Sequence, residues 1–423
     1  MYLVDVRTWH GNIYEVQYRS LTFYTSKYWI RAIPYEYMLA PNDPIRIEYM
    51  NQGDAVPQTG SFIPLNIQDD ASISFVGKML IITLRSDWTL NDTITYPQGS
   101  VIYTDIDLFL HSSDPSQCTY TTLFAPTDRT AYEFFTVTKN YLILSTMDNV
   151  KSKLTFYKID KEGSELVPLS RGENSPFIDD ARIRDCIVRP VDPYIGSDEF
   201  WFTISDYVTP STLYMASATK MDPDSVDYNG KDDIHNDETL DPFITAKLKS
   251  LPNQYDSSTV KVEQRKAISK DGTEIPYFIV MPKDIVYNGQ NPTLLYGYGG
   301  FEVSLGPHYI ASSGVAWLEQ GSGSGSVYVE ANIRGGGEFG PKWHQAGLQQ
   351  NRNKCYEDFI AVAEHLIASN ICTPKTLAAR GGSNVRILYM LFYFFRTWCM
   401  FCLTLFLNIY TIFFFFSGWF IDG

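Results

Sequence analysis

The clearest chemistry in this chain lies in Gly381-Gly382-Ser383-Asn384. Two glycines before a serine permit a turn too tight for larger neighbours. On a sharp strand-to-helix turn the serine hydroxyl is exposed, and the N–H that follows it points to where negative charge would develop. That is the layout for nucleophilic attack on a carbonyl carbon. A serine hydroxyl is a weak nucleophile at neutral pH and needs a base to accept its proton. The histidines are His10, His111, His235, His308, His344 and His365, and all precede Ser383; Asp422 is the only acid after it. In G-x-S-x-G terms, Gly381 and Ser383 fit, and Val385 stands where the second glycine belongs.

A nucleophile of this kind needs a parallel sheet behind it. Residues 261–268 and 275–281 read as a strand pair turned at Asp271-Gly272, and 293–296 and 326–333 read as apolar strands. Tyr356, Phe359, Ile360, Ala363, Leu366 and Ile367 recur at helical spacing, and Thr373-Pro374 ends that helix. Residues 376–379 lead to the serine turn. Alternating strands and helices with glycine-rich connections indicate a parallel α/β sheet. Gly297, Gly299 and Gly300 follow one strand, and Gly335, Gly336 and Gly337 follow the next. The first of these turns stands where hydrolases place a second oxyanion donor.

Upstream, residues 78–84, 141–145, 153–159, 199–204 and 212–216 are short runs rich in β-branched and aromatic residues. At about 40–50 residues per blade, the first 258 residues would hold roughly five or six blades of a β-propeller. A β-sandwich gives a similar pattern, and spacing alone does not separate the two. Residues 221–242 are acidic, but an EF-hand numbered from Asp227 puts Gly230 at its fourth position instead of its sixth. They read as a solvated insertion.

Taken together, the runs at 294–301 (LLYGYGGF), 331–340 (ANIRGGGEFG), 342–345 (KWHQ), 356–359 (YEDF) and 381–384 (GGSN) resemble the prolyl oligopeptidase family of serine peptidases. Residues 123–130, 138–144, 148–154 and 206–214 are similar to that family's propeller. The resemblance spans residues 75 to 384 and follows the family's order. It implies an incomplete β-propeller over residues 1–258 and the N-terminal part of an α/β-hydrolase domain over 259–384. Short peptides would be cut in the cavity between them, often after proline. It makes Ser383 the nucleophile, Tyr298 an oxyanion donor through its hydroxyl, and Asn384 the other donor through its backbone N–H. Phe301 would lie near the pocket for the proline side. It implies no metal and no organic cofactor. His344 and His365 are expected to be structural, because the hydrolase order places acid and base after the serine.

Residues 385–423 depart from that pattern. The family continues with two more glycines and a helix of small residues, whereas this chain gives Val385-Arg386 and then an aberrant, aromatic-rich hydrophobic tail. Val-Arg can be encoded by a donor-like GTA AGA, so the tail reads as translated intron or a frameshift product. Residues 397–420 are also 24 residues without a charge, long enough for a transmembrane helix. Two expectations follow. The chain as written lacks the acid and base and has little or no peptidase activity. Alternatively it is a membrane-anchored, non-catalytic propeller that acts as an interaction module.

Composition excludes other classes. The net charge of −14 argues against a nucleic-acid partner. Six scattered cysteines fit reduced thiols in a cytoplasmic, monomeric protein. Cys399 and Cys402 form a C-x-x-C without a partner pair, and no signal peptide opens the chain.

Overall fold

The computed structural model describes residues 63–382, apart from 113, 170–182, 193–195, 228–242 and 320–324. It also gives strand backbone at 2–3, 21–24, 28–34, 45–51, 406–408 and 411–414. Ser383, Asn384, Cys399 and Cys402 lie outside the described residues. The chain divides into two compact units, one of Met1–Pro126 with Ile159–Glu165, the other of Thr127–Lys158 with Leu166–Gly423.

The first unit is antiparallel β structure. Tyr2–Leu3, Leu21–Tyr24, Tyr28–Pro34, Ile45–Asn51 and Ile63–Pro64 form a five-stranded sheet in sequence order. Ser72–Val76, Met79–Thr83, Val101–Asp105 and Thr121–Phe124 form a four-stranded meander. Met79, Leu80, Ile81 and Ile82 are fully buried in it, which is why a continuous apolar run forms its inner strand.

Two further four-stranded meanders lie in the second unit. One runs through Thr130–Val137, Tyr141–Asp148, Lys151–Ile159 and Leu166–Pro168. The other runs through Asp185–Pro190, Glu199–Ser205, Thr212–Ser217 and Ile244–Ser250. Phe156, Phe200, Phe202 and Phe243 pack together between them, with centroid separations of 5.0–6.4 Å.

Strands that pair with their sequence neighbours make blade-like sheets. Among the described residues there are four such sheets and a hairpin, and no closed ring of blades. Spacing predicts five or six. The connection between Thr212–Ser217 and Ile244–Ser250 is long. That connection also corrects the reading of 221–242 as wholly solvated. Asp222 is only 2% exposed. It accepts a hydrogen bond from Tyr141 Oη at 2.8 Å and pairs with Lys158 Nζ at 2.7 Å.

The third sheet of this unit is mixed. Its order is Val260–Ile268, Glu274–Pro282, Val327–Ala331, Thr293–Gly297, Leu377–Gly382, Thr411–Phe414 and Phe406–Asn408. The first two strands form the expected hairpin. Thr293–Gly297 runs parallel to both of its neighbours. The helix Arg352–Ala368 covers one face, burying Phe359, Val362 and Leu366 against Leu295, Val327 and Val329.

Leu377–Gly382 pairs antiparallel with Thr411–Phe414. An unpaired strand edge offers a row of free N–H and C=O groups, and a β-prone apolar segment satisfies them. The expected helix over 397–420 is therefore not what the described part of that span forms: Phe406–Asn408 and Thr411–Phe414 are strands. Among the described residues, no helix is long and apolar enough to cross a membrane.

Candidate active site

Three adjacent parallel strands end together. Gly297 is in register with Ala331 on one side and with Gly381 on the other. Tyr298 and Asn332 therefore leave the sheet at one carboxyl edge, where open α/β sheets place their sites. The sheet brings Tyr298 to the carboxyl edge next to the strand Leu377–Gly382.

Glycines at this edge are dictated by contact. A Cβ on Gly297 would lie 2.8 Å from the Phe359 ring. Gly299 has φ +56°, and a Cβ there would lie 2.5 Å from the Ile333 side chain. The two glycine-rich turns thus touch each other. Phe301 and Glu302 follow with φ of +54° and +56°. Two consecutive non-glycine residues in the left-handed region cost about 1–3 kcal/mol each, and such strain gathers at functional sites. Phe301 is 61% exposed, and Tyr298 is half-buried. The loop is tied down by Glu302 N–H to Gly335 O at 3.3 Å and by Asn332 Nδ2 to Leu305 O at 2.7 Å.

His344 is buried, and its Nδ1 lies 2.7 Å from Gly335 O and 3.1 Å from the Glu302 backbone N. His365 Nδ1 lies 3.0 Å from Tyr277 Oη, and burial lowers its pKa. Both serve the scaffold, in line with the expectation.

Arg334 and Asp358 organise the base of the site, and sequence reading gave neither a role. Arg334 Nη2 and Nε donate to the two oxygens of Asp358 at 2.6 and 2.9 Å. Arg334 Nη1 donates to Asp271 at 2.6 Å, and Ser269 Oγ donates to Asp358 at 2.7 Å. Arg334 is 3% exposed and Asp358 0%. The Arg334 hydrogen bond holds the Asp271 carboxyl well below the usual carboxylate range. Burial works against charge on Arg334, but its bonds to Asp358 and Asp271 outweigh it and raise its pKa. A signal was available. Asp358 falls one residue before Phe359 and four before Val362, on the otherwise apolar buried side of the helix.

Two buried carboxyls lie nearby. Glu330 accepts from Tyr207 Oη at 2.7 Å and from Tyr328 Oη at 3.1 Å, and burial raises its pKa. Glu338 is 1% exposed; one oxygen accepts from Leu305 N–H at 3.0 Å, and the other has no partner among the described residues. Burial pushes its pKa up to about 7. A raised folded pKa gives stability that is fully present below the unfolded value and lost as pH rises through the folded one. Unfolding free energy is expected to fall by about 3 kcal/mol between pH 4.5 and 8 from Glu338 alone. Glu338→Gln should remove that part of the slope in urea titrations at pH 5, 6, 7 and 8. Equal slopes in parent and variant would refute the assignment.

Among the described residues no cluster of ligands could hold a metal ion, and Cys118, Cys186, Cys355 and Cys372 are buried and form no disulfide.

The prolyl oligopeptidase family model matches residues 312–384. An uncharacterized peptidase of Sinorhizobium fredii is 36% identical over 304 residues, covering 72% of this chain and 36% of the relative. A prolyl endopeptidase of Elizabethkingia miricola is 35% identical over 186 residues, covering 44% of this chain and 23% of the relative. Among solved structures, a post-proline cleaving enzyme from Rickettsia typhi superposes with a TM-score of 0.65 at 28% identity, over 85% of this chain and 45% of that one. The chain spans less than half the length of these relatives. A sequence match running through the parallel sheet and a fold match over most of the residues agree, and the chain belongs to the prolyl oligopeptidase family.

Proposed function

We propose that this chain carries the nucleophile and oxyanion side of a serine peptidase that cleaves short peptides after proline. The register of Gly297 with Ala331 and Gly381 supports the reading, because the strand before Tyr298 and the strand that precedes Ser383 in sequence lie side by side and parallel. Ser383 Oγ would attack the peptide carbonyl. The oxyanion would rest on Tyr298 Oη and the Asn384 N–H, and Phe301 would face the proline side. Residues 1–258 would supply the propeller part and 259–384 the hydrolase part. Family relatives named as prolyl endopeptidases support this specificity. Buried cysteines that form no disulfide fit a reducing compartment.

The reaction needs a proton acceptor for Ser383 and a donor for the leaving amine. No histidine follows Ser383, and His344 and His365 are held by the scaffold. The 423-residue chain is therefore proposed not to complete the reaction by itself. Incubated with a chromogenic Gly-Pro peptide, it should release no product above buffer. Turnover that disappears in Ser383→Ala would overturn this. Residues 1–384 joined to the remaining catalytic portion of the Sinorhizobium relative should cleave the same peptide.

A further inference from the structure

Arg352 opens the helix Arg352–Ala368, and its guanidinium is half-buried. Among the described residues it has no carboxylate partner within ion-pair distance. Its one short hydrogen bond runs from Nη1 to the carbonyl of Gly299 at 2.7 Å. The same nitrogen lies 3.5 Å from Gly347 O and 3.6 Å from Cys355 Sγ. Cζ sits 5.8 Å over the Tyr356 ring, which limits the tilt of the guanidinium plane. Nη2 is buried with no partner among the described residues. An unsatisfied donor is a standing cost, and its retention needs a reason.

Gly299 supplies one. It follows Tyr298 directly and sits at φ +56°. Its carbonyl is packed so closely that a Cβ on Gly335 would lie 2.5 Å from it and 3.2 Å from Arg352 Nη1. A trans peptide is planar, so a Gly299 carbonyl turned toward Arg352 fixes the Gly300 N–H in the opposite direction. A cation on the carbonyl also polarises the whole peptide unit. We infer that Arg352 is a positioning residue: it holds the Tyr298–Phe301 loop by the Gly299 carbonyl and so sets where the Tyr298 hydroxyl is presented. This rests on the proposed oxyanion role of Tyr298. Only one N–H of the guanidinium makes the short bond, so a lysine ammonium would suffice.

The test uses the full 423-residue chain with 3-fluorotyrosine placed at position 298, and separately at position 277 as a control. Tyr277 contacts His365 on the same helix and reports how that helix is seated. Arg352→Met is expected to shift or broaden the fluorine line at 298 and leave the line at 277 in place. Arg352→Lys should restore the 298 line. Arg352→Gln, polar but too short to reach Gly299, gives the same reading if the Met variant does not fold. The inference is overturned by a 298 line that does not change, by 298 and 277 lines that move together, or by failure of Lys to restore. No turnover is needed for this readout, so a failed positioning role and a failed peptidase reading are told apart.

Discussion

Arg334→Met is expected to destabilise the protein by about 3–5 kcal/mol, because it leaves Asp358 charged and unpaired in a dry interior. Asp358 has no exposed surface, and Arg334 supplies three of its short contacts: Nε at 2.9 Å, Nη2 at 2.6 Å and the backbone N–H at 3.0 Å. The backbone N–H at position 334 and Ser269 Oγ at 2.7 Å remain as donors in the variant, and neither can neutralise the charge. Asp358→Asn should fall in the same range from the other side, stranding Arg334 with the partly exposed Asp271. Urea unfolding reads this as a lower midpoint with an unchanged slope. Lys270→Ala is the contrast. Its contact with Glu357 is 3.4 Å long and its side chain is 80% exposed, so its loss should change stability by less than about 1 kcal/mol. A change below about 1 kcal/mol for Arg334→Met would show that the network is not a keystone. The expectation concerns removal of one partner. Buried ion pairs replaced as a whole by apolar residues are often neutral.

This network also marks where sequence reading ran out. The hairpin at Asp271-Gly272, the helix through Phe359 and the glycine turns were legible, because periodicity and glycine placement are local signals. Arg334, Asp358 and Asp271 were not paired, since their partners lie 24 and 63 positions apart. Glu330 was hidden differently. It sits in the apolar strand Val327–Ala331 and is satisfied by Tyr207, which is 123 positions away. Asp222 was read as solvated because its neighbours are acidic, yet Tyr141 and Lys158 reach it from another strand pair. Tyr298 takes its expected role from the resemblance alone, and the register sets the strand before it beside Val327–Ala331 and Leu377–Gly382. The tail shows the limit of hydropathy. A long uncharged run predicts a spanning helix, but an adjacent strand edge offers the same residues a ladder to join.

Joining residues 1–384 to the later catalytic portion of the Sinorhizobium relative should yield proline-specific cleavage, with the nucleophile accounting for most of the rate. The α/β-hydrolase order places acid and base after the serine, so that portion would supply the proton acceptor. In the joined protein Ser383→Ala should lower kcat by about 10⁶-fold, since triad members act as a unit. Tyr298→Phe removes one hydroxyl donor from the oxyanion and leaves the Asn384 amide. A single oxyanion donor is worth about 10²–10³ in kcat, and KM should move little, because the charge it stabilises exists only in the transition state. Steady-state kinetics on a Gly-Pro peptide separates the cases. If Tyr298→Phe raises KM and leaves kcat alone, Tyr298 binds substrate and the oxyanion assignment fails. If Ser383→Ala retains turnover, the nucleophile lies elsewhere. If both losses appear in kcat and in that order, the aligned ends of the three parallel strands assemble the chemistry.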